Sequence, residues 1–499
     1  MASNERKAAA MKARASSIFW LLLGIILCLH IFIRLVTQSM TIDGTLYAAI
    51  SRNLANGQGS LWHLHYSNSL FPYFVEHPPL MMWLQAVGFL LFGDSIVVEK
   101  SFSFVCLLLN GAIILLIWRQ LSRGTRYQGL GVCVLIFTAV AGKIGFAFGN
   151  GLIENLQMLF TSLAVLFILA AYQSDVNASR ILKIFWMVGA GLAIVLALLS
   201  KGPVGLFPLA VPAFYAAVFG SPRIISAAFD TSVMLVTVLA IFFVILLFDG
   251  PREYILQYAN GQLVASLSGA RGGRGFTIGL LVFLPTLLYT SLIAGLLWLF
   301  SVCLGPVSSA DKLSRGTLKQ TGIFLFAIGF AASAPIFASP RVAAYYFNPS
   351  MPFFAMSFLC FCAPHIINIT ERLSAAWLRR ATMALTAVFV VSFVFVAMNV
   401  GKPGQDRDLI EDARLLATHI CPSSQKCEKS VATCRSVYED WQFHVYVGRN
   451  HRVDLVPKAP AADDPFFLTD DMCAMPAERR ASEILIGLSR HHLYGRDPE

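Results

Sequence analysis

Asp43 in "TIDGTLYAAI" (residues 41–50) and the Glu76-His77 pair in "FPYFVEHPPL" (residues 71–80) set acids and an imidazole beside long apolar runs. Further along, Glu154 stands in "GNGLIENLQ", Lys201 in "LLSKGPVGLFP" and Arg271 with Arg274 in "GARGGRGF", while Arg341, Tyr345 and Tyr346 stand in "SPRVAAYYFNPSMP". A carboxylate of this kind can take a proton from an attacking group, and Lys or Arg can grip a phosphate and stabilise charge building on it as it leaves. The combination suits transfer from a phosphate-activated donor. For a sugar the transition state has oxocarbenium character, and one base with in-line displacement would invert the anomeric centre.

The elements that would position these groups are mostly membrane helices. The chain has 499 residues, 57% of them hydrophobic and only 13% charged, with a mean hydropathy of +0.66; soluble domains carry about 25% charged residues. Runs such as "SIFWLLLGIILCLHIFIRLV" and "ATMALTAVFVVSFVFVAMNV" approach the roughly 20 apolar residues needed to cross a bilayer, and helices are the default because backbone groups in lipid must be satisfied internally. The reading is a polytopic α-helical membrane protein with spans near 18–36, 97–118, 127–141, 156–172, 184–199, 204–219, 231–248, 279–303, 321–337, 349–363 and 382–399. Residues 80–93 are too short to cross and are read as interfacial. The first span is a retained anchor, since its apolar run exceeds a signal-peptide core and no cleavage site follows.

Charge orients this bundle. The tail 1–17 carries Arg6, Lys7, Lys12 and Arg14 against Glu5, which places it in the cytoplasm. Alternating from there, the loops assigned inside collect Arg119, Arg123, Arg126, Arg180, Lys183, Arg223, Lys312, Arg315, Lys319, Arg372, Arg379 and Arg380, whereas the loop 37–96, assigned outside, holds only Arg52 among Lys and Arg. The formal charge of +10 is therefore a matter of membrane orientation, with no nucleic acid implied. Asp43, Glu76, Glu154, Lys201 and the arginine and tyrosine clusters then share the outer face.

Asp43 opens an amphipathic stretch in which Tyr47 and Leu54 share its face and Arg52 lies opposite. A structural reading competes at each position. Asp43 would serve as a helix N-cap, Glu76 as loop scaffold, and Lys201 as a snorkelling side chain beside Gly202 and Pro203. Arg271 and Arg274 would bind lipid phosphates without specificity. Asp94, Glu99 and Lys100 read as interfacial charges. Residues 401–499 read as a small mixed domain, with a helix in "DLIEDARLLATHI", a strand in "WQFHVYVG", a short element in "SEILIGL", and His444, His451, His491 and His492 at its surface. Its four cysteines, Cys421, Cys427, Cys434 and Cys473, contain no C-x-x-C pair and suggest two disulfides in an oxidising compartment, the alternatives being free thiols or a metal site. The other six lie in or beside apolar spans.

The segments "IDGTLYAAISRNL", "EHPPLMMWLQAVGFLLFGDS", "ENLQMLF", "LSKGPVGL" and "PRVAAYYFNPSMPFF" occur in the order seen in membrane glycosyltransferases of the GT-C fold. The chain most resembles their bacterial branch containing lipid A aminoarabinose transferases, related to protein O-mannosyltransferases, over roughly residues 20–355. That resemblance implies a GT-C domain over 18–400, with its catalytic first external loop at 37–96, and a periplasmic domain over 401–499. It implies location in the bacterial inner membrane and an inverting transfer of sugar from a polyprenyl-phosphate donor to lipid A, another glycan or a protein. By the same resemblance, Asp43 is the proposed base, and Glu76 and Glu154 are the acids of the first and second loops. Lys201, Arg271, Arg274, Arg341 and His77 would meet the donor phosphate, and Tyr47, Tyr345 and Tyr346 the sugar or acceptor. Two departures stand out: Asp43-Gly44 where the family often has Asp-Glu, and His77 where it often has Lys before the prolines. Some relatives bind a divalent metal, for which Glu76 with His77, His63 or His65 would serve here. The rival classes are a polytopic transporter or lipid flippase, which intramembrane charge and internal repeats would favour although the sequence shows neither clearly, and a noncatalytic scaffold.

Overall fold

The computed structural model describes residues 16–173, 180–265, 275–303, 312–339, 341–421, 429–459, 464–473 and 481–496, and these group into two compact units. Among the described residues, nine helices are long and apolar enough to cross a membrane. They are Ser16–Val36, Ile96–Leu121, Glu154–Gln173, Arg180–Lys201, Ile224–Leu246, Thr277–Cys303, Gly316–Ala338, Ala344–Arg372 and Ala375–Ala397. The spans expected at 127–141 and 204–219 are the shorter apolar helices Arg126–Val140 and Pro203–Phe219. The second starts as 3-10 helix with Pro208 inside it, where the ring removes a backbone donor.

The first unit comprises residues 1–33, 76–78 and 103–398. Burial sorts its helices by composition. The apolar windows of Glu154–Gln173 and Ala344–Arg372 are 72% buried, whereas that of Ala375–Ala397 is 11% buried. The buried pair carries Gln157, Thr161, Ser162, Ser350 and Ser357 inside, while the outer helix turns Val391 and Phe393 outward. Lipid gives apolar side chains no reason to pair with each other, so close packing and polar contacts hold such bundles. Ser357 Oγ accordingly donates to the Gly322 carbonyl at 2.8 Å, and Asn110 Nδ2 to the Asn155 carbonyl at 3.0 Å.

The second unit comprises residues 34–75, 79–102 and 399–499. Its sheet has the order β2-β1-β3-β5-β4, with β1 (Ser430–Thr433), β2 (Asp454–Pro457), β3 (Phe466–Asp470), β4 (Ala481–Ile484) and β5 (His491–Arg496). β1 runs parallel to β2 and β3, and β5 pairs antiparallel with β3 and β4. The helix Arg407–Ile420 lays Leu409, Ile410, Ala413, Leu416 and Ile420 into the core, together with Val431, Leu455, Phe467 and Leu493 of the strands.

The first loop is built into this same unit. Helix Ile42–Ala55 is buried from Gly44 to Asn53, so it is a core helix and has no solvated face. Arg52, expected opposite the buried side, is itself buried and donates to the Gly448 and Arg449 carbonyls at 3.1 and 2.6 Å. Those carbonyls belong to the last turn of Trp441–His451, where a cation suits the helix dipole. Tyr66 Oη donates to the His444 carbonyl at 3.1 Å and Tyr446 Oη to the Met40 carbonyl at 2.8 Å, while Asp454 accepts from Ser69.

Several expectations for this unit are corrected. "WQFHVYVG" is not a strand but part of the helix Trp441–His451, capped by the Asp440 side chain accepting from Phe443 N at 3.1 Å. Its Phe443, His444, Val445, Tyr446 and Val447 are all buried, so burial on several faces produced an apolar run that mimics a strand. His444 and His491 are buried rather than superficial; His491 Nδ1 lies 2.8 Å from Asp412 Oδ2. Glu99 and Lys100 are buried, and Asp94 is paired: Arg449 reaches Glu99 at 2.7 Å and Asp94 at 2.9 Å, and Lys100 donates to the Arg34 and Ser39 carbonyls. Cys421 is disulfide-bonded, whereas Cys434 and Cys473 are free thiols; Cys427 lies outside the described residues.

Candidate active site

Three helix ends in the first unit assemble the candidate site. The "GNG" turn ends with Gly151 at φ +61°, and the next helix opens on Glu154, where a carboxylate meets the positive end of the helix dipole. The helix Arg180–Lys201 stops at its last named residue because Gly202 adopts φ +91° and Pro203 follows. The Tyr258 hydroxyl lies against the place that a Cβ at position 202 would take. Tyr345 and Tyr346 lie on the 3-10 turn Ala344–Ser350 that leads into Met351–Arg372.

These ends bring Lys201, Glu154, Tyr345 and Tyr346 together. The Lys201 ammonium is paired with a Glu154 carboxylate oxygen, and their side chains are 13% and 2% exposed. The same ammonium lies 3.7 Å from the centroid of the Tyr346 ring and 5.8 Å from that of Tyr345. The two rings meet edge to face at 5.0 Å, and Phe146 packs on Tyr345 at 5.8 Å. A cation over aromatic faces gains more when desolvated, and a carboxylate partner offsets part of the cost of burying it. The residual exposure of the pair belongs mainly to the lysine side chain.

Two residues not anticipated from sequence extend this arrangement. On the helix Asp249–Tyr258, Tyr254 Oη donates to the His77 carbonyl at 2.6 Å, and Tyr258 Oη donates to the Lys201 carbonyl at 3.4 Å. Spaced four apart, they share a helix face and tie the Glu76-His77 segment to the backbone of Lys201. The signal in sequence was the tyrosine pair in "YILQY". Gln157, one turn on from Glu154, is fully buried with neither amide atom hydrogen-bonded among the described residues.

Glu76 is half-buried in the first unit, and Arg341 is exposed ahead of the tyrosine turn. Arg271 and Arg274 lie outside the described residues. Asp43 and Tyr47 belong to the second unit. Thr41 takes the N-cap position, and Asp43 is a half-buried residue of the first helical turn; Tyr47 is buried in the core of that unit. Among the described residues no group of three or more His, Cys, Asp or Glu gathers as metal ligands. His63 stacks on Tyr73 at 4.4 Å and His65 Nδ1 lies 3.0 Å from the Pro72 carbonyl, so neither ring is aimed at an assembled metal set.

Comparison with known proteins places this architecture. Residues 76–248 match the family described as dolichyl-phosphate-mannose-protein mannosyltransferase. The crystal structure of ArnT from Cupriavidus metallidurans bound to undecaprenyl phosphate superposes with a TM-score of 0.61 at 17% identity, over 96% of this chain and 99% of that one. The same protein in the apo state gives 0.60 at 16% identity, with the same coverage. No curated protein sequence matches the chain. The fold is shared with ArnT: a helical bundle with a small C-terminal sheet domain.

Proposed function

We propose that this chain is an inverting glycosyltransferase that moves a sugar from a polyprenyl-phosphate carrier to lipid A, another glycan or a protein of the bacterial envelope. The reaction takes place on the outer face of the inner membrane. The observation that carries the reading is the Lys201 ammonium held between the Glu154 carboxylate and the Tyr346 ring, within a GT-C fold. Lys201 binds the donor phosphate and stabilises the charge it gains as the sugar departs. Glu154, expected from sequence as a catalytic acid, is read here as the partner that positions Lys201. Tyr345 and Tyr346 form an aromatic wall on which a sugar ring or a phosphate can rest. Arg271, Arg274, Arg341 and His77 supply further contacts to the anionic carrier.

Asp43 removes the proton from the acceptor as it attacks the anomeric carbon. Its half-burial in a first helical turn supports a carboxylate held in a fixed direction. Tyr47, in the core one turn on, supports the helix that carries Asp43. Chelation by EDTA tests the divalent metal: complete loss of turnover, restored by a divalent cation, would assign Glu76 and His77 a metal-binding part, and full retention would remove that part.

The test is mass spectrometry of envelope glycolipids and polyprenyl-phosphate sugars in a deletion strain complemented with the native chain, Asp43→Asn or Lys201→Gln. The native chain is expected to restore one sugar on one acceptor. Both variants, at normal abundance, are expected to retain the lipid-linked donor and lack the modified acceptor. Donors and acceptors unchanged by the deletion itself would sink the transferase reading in favour of a transporter or lipid flippase.

A further inference from the structure

The two free thiols of the sheet domain stand on neighbouring strand ends. β1 and β3 are parallel and in register, with Ala432 opposite Phe467 and Thr433 opposite Leu468. Cys434 directly follows β1, its backbone N–H donating to the Leu468 carbonyl at 3.2 Å. Beyond β3 the chain turns back, with Cys473 N–H donating to the Asp470 carbonyl at 3.1 Å. Asp470 Oδ1 pins this turn to the segment after β1, accepting from Ser436 Oγ at 2.8 Å and from Met472 N–H at 3.0 Å. Cys434 and Cys473 line the same cavity, of about 600 Å³, with Thr433, Arg435, Tyr438 and Lys458. Cys434 is buried in the core cluster and Cys473 packs against it, half-exposed. Cys473 is thus a neighbour of Cys434 in both the cavity wall and the core packing.

We propose that Cys434 and Cys473 are a disulfide pair, closed when the sheet domain reaches an oxidising compartment, and that the bond staples the carboxyl ends of β1 and β3. The oxidant is a disulfide-bearing thiol oxidoreductase. Cys473, the more accessible of the two, loses its proton and attacks the oxidant's disulfide, forming a mixed disulfide and releasing one oxidant thiolate. Cys434 then loses its proton and attacks the Cys473 sulfur, closing the Cys434–Cys473 bond and releasing the second oxidant thiolate. Two protons leave the pair, and its two electrons reduce the oxidant from disulfide to dithiol. Burial and the neighbouring Cys434 thiol push Cys473 up to about 12, which leaves no standing thiolate near neutral pH. Such a pair is a structural bond rather than a catalytic dithiol. It would fix one wall of the cavity. The inference goes beyond the transferase reading and shares with it only the placement of the sheet domain outside the membrane.

The test traps thiols in intact cells with N-ethylmaleimide before lysis, purifies the full chain and maps its peptides with and without reductant. The expected result is a reductant-sensitive peptide pair joined through Cys434 and Cys473. Both carrying the label while Cys421 stays linked would overturn the pairing but keep the compartment. Label on Cys421, Cys427, Cys434 and Cys473 together would overturn both. A bond from either Cys434 or Cys473 to Cys421 or Cys427 would overturn the pairing as well. C473S is expected to unfold at a lower temperature than the native chain without reductant; an unchanged midpoint would show that no bond had been lost.

Discussion

Lys201 and Glu154 lie 47 residues apart in sequence and share a buried ion pair, so each depends on the other for its tolerance of burial. Removing one partner of such a pair typically costs about 3–5 kcal/mol, because the remaining charge is stranded. Glu154→Gln is therefore expected to lower thermal stability by about that amount and to abolish transfer. Lys201→Met combined with Glu154→Leu should recover most of the stability and none of the activity, as read by thermal unfolding and a sugar-transfer assay. Equal activity in the double variant would remove the pair from the chemistry. Gln157 presents the opposite case. A buried amide with no partner costs about 1–3 kcal/mol, so Gln157→Leu is expected to raise the unfolding temperature, and a fall would show that the amide is satisfied in the working protein. The motifs announced acid, lysine and tyrosines by type and order; that they converge depends on how three helix ends meet, which no local pattern encodes.

At the scale of elements, helix stops do the positioning. Gly202 has φ +91° with the Tyr258 hydroxyl against its missing side chain, whereas Gly220, also at a helix end, has φ +70° and open space. Gly220→Ala meets left-handed backbone strain of about 1–2 kcal/mol, and Gly202→Ala meets more, because φ +91° with ψ −151° is a region essentially closed to residues with a Cβ. Only Gly202→Ala should also displace Tyr258 and with it the Lys201 backbone. Unfolding midpoints and KM for the lipid-linked donor are expected to change more for Gly202→Ala than for Gly220→Ala; indistinguishable variants would mean that Tyr258 yields without disturbing the site. "SKGP" was legible as a helix end from Gly and Pro alone, but the partner hydroxyl was not. The same limit explains the helix Trp441–His451, read as a strand. Its aromatic and β-branched residues suit a strand by propensity, and a helix buried on several faces has no polar stripe to reveal its period.

At the scale of the molecule, the division at residue 400 was drawn on hydropathy, whereas residues 34–75 and 79–102 join 399–499 in one compact unit. Buried histidines make this unit sensitive to acid. Burial pushes His444 below its ordinary value, and burial with the nearby Arg414 pushes His451 down to about 4. Below about 6.5, the ordinary histidine value, the unfolded chain takes up protons that the folded chain refuses. Stability is then lost as pH falls toward 4. Asp412 extends the loss further: burial works against its carboxylate, but the hydrogen bonds from His491, Ser489 and Arg490 outweigh it and hold it below the usual range. Thermal unfolding of the purified protein between pH 8 and 4 is expected to show a falling midpoint, with a shallower slope in His451→Leu; a parallel slope would assign the sensitivity elsewhere. By itself the sequence determined the class of molecule, the places of the long apolar helices, the inventory of acids and bases, and the helix Arg407–Ile420, because hydropathy, charge and helical period are local quantities. Only the tertiary structure decided that Glu154 pairs with Lys201, that Tyr254 holds the His77 backbone and Tyr258 that of Lys201, that Arg52 caps a helix, and that the first loop shares a core with the sheet domain. Those facts depend on which surfaces meet after burial, and contacts between residues tens to hundreds of positions apart leave no periodic trace along the chain.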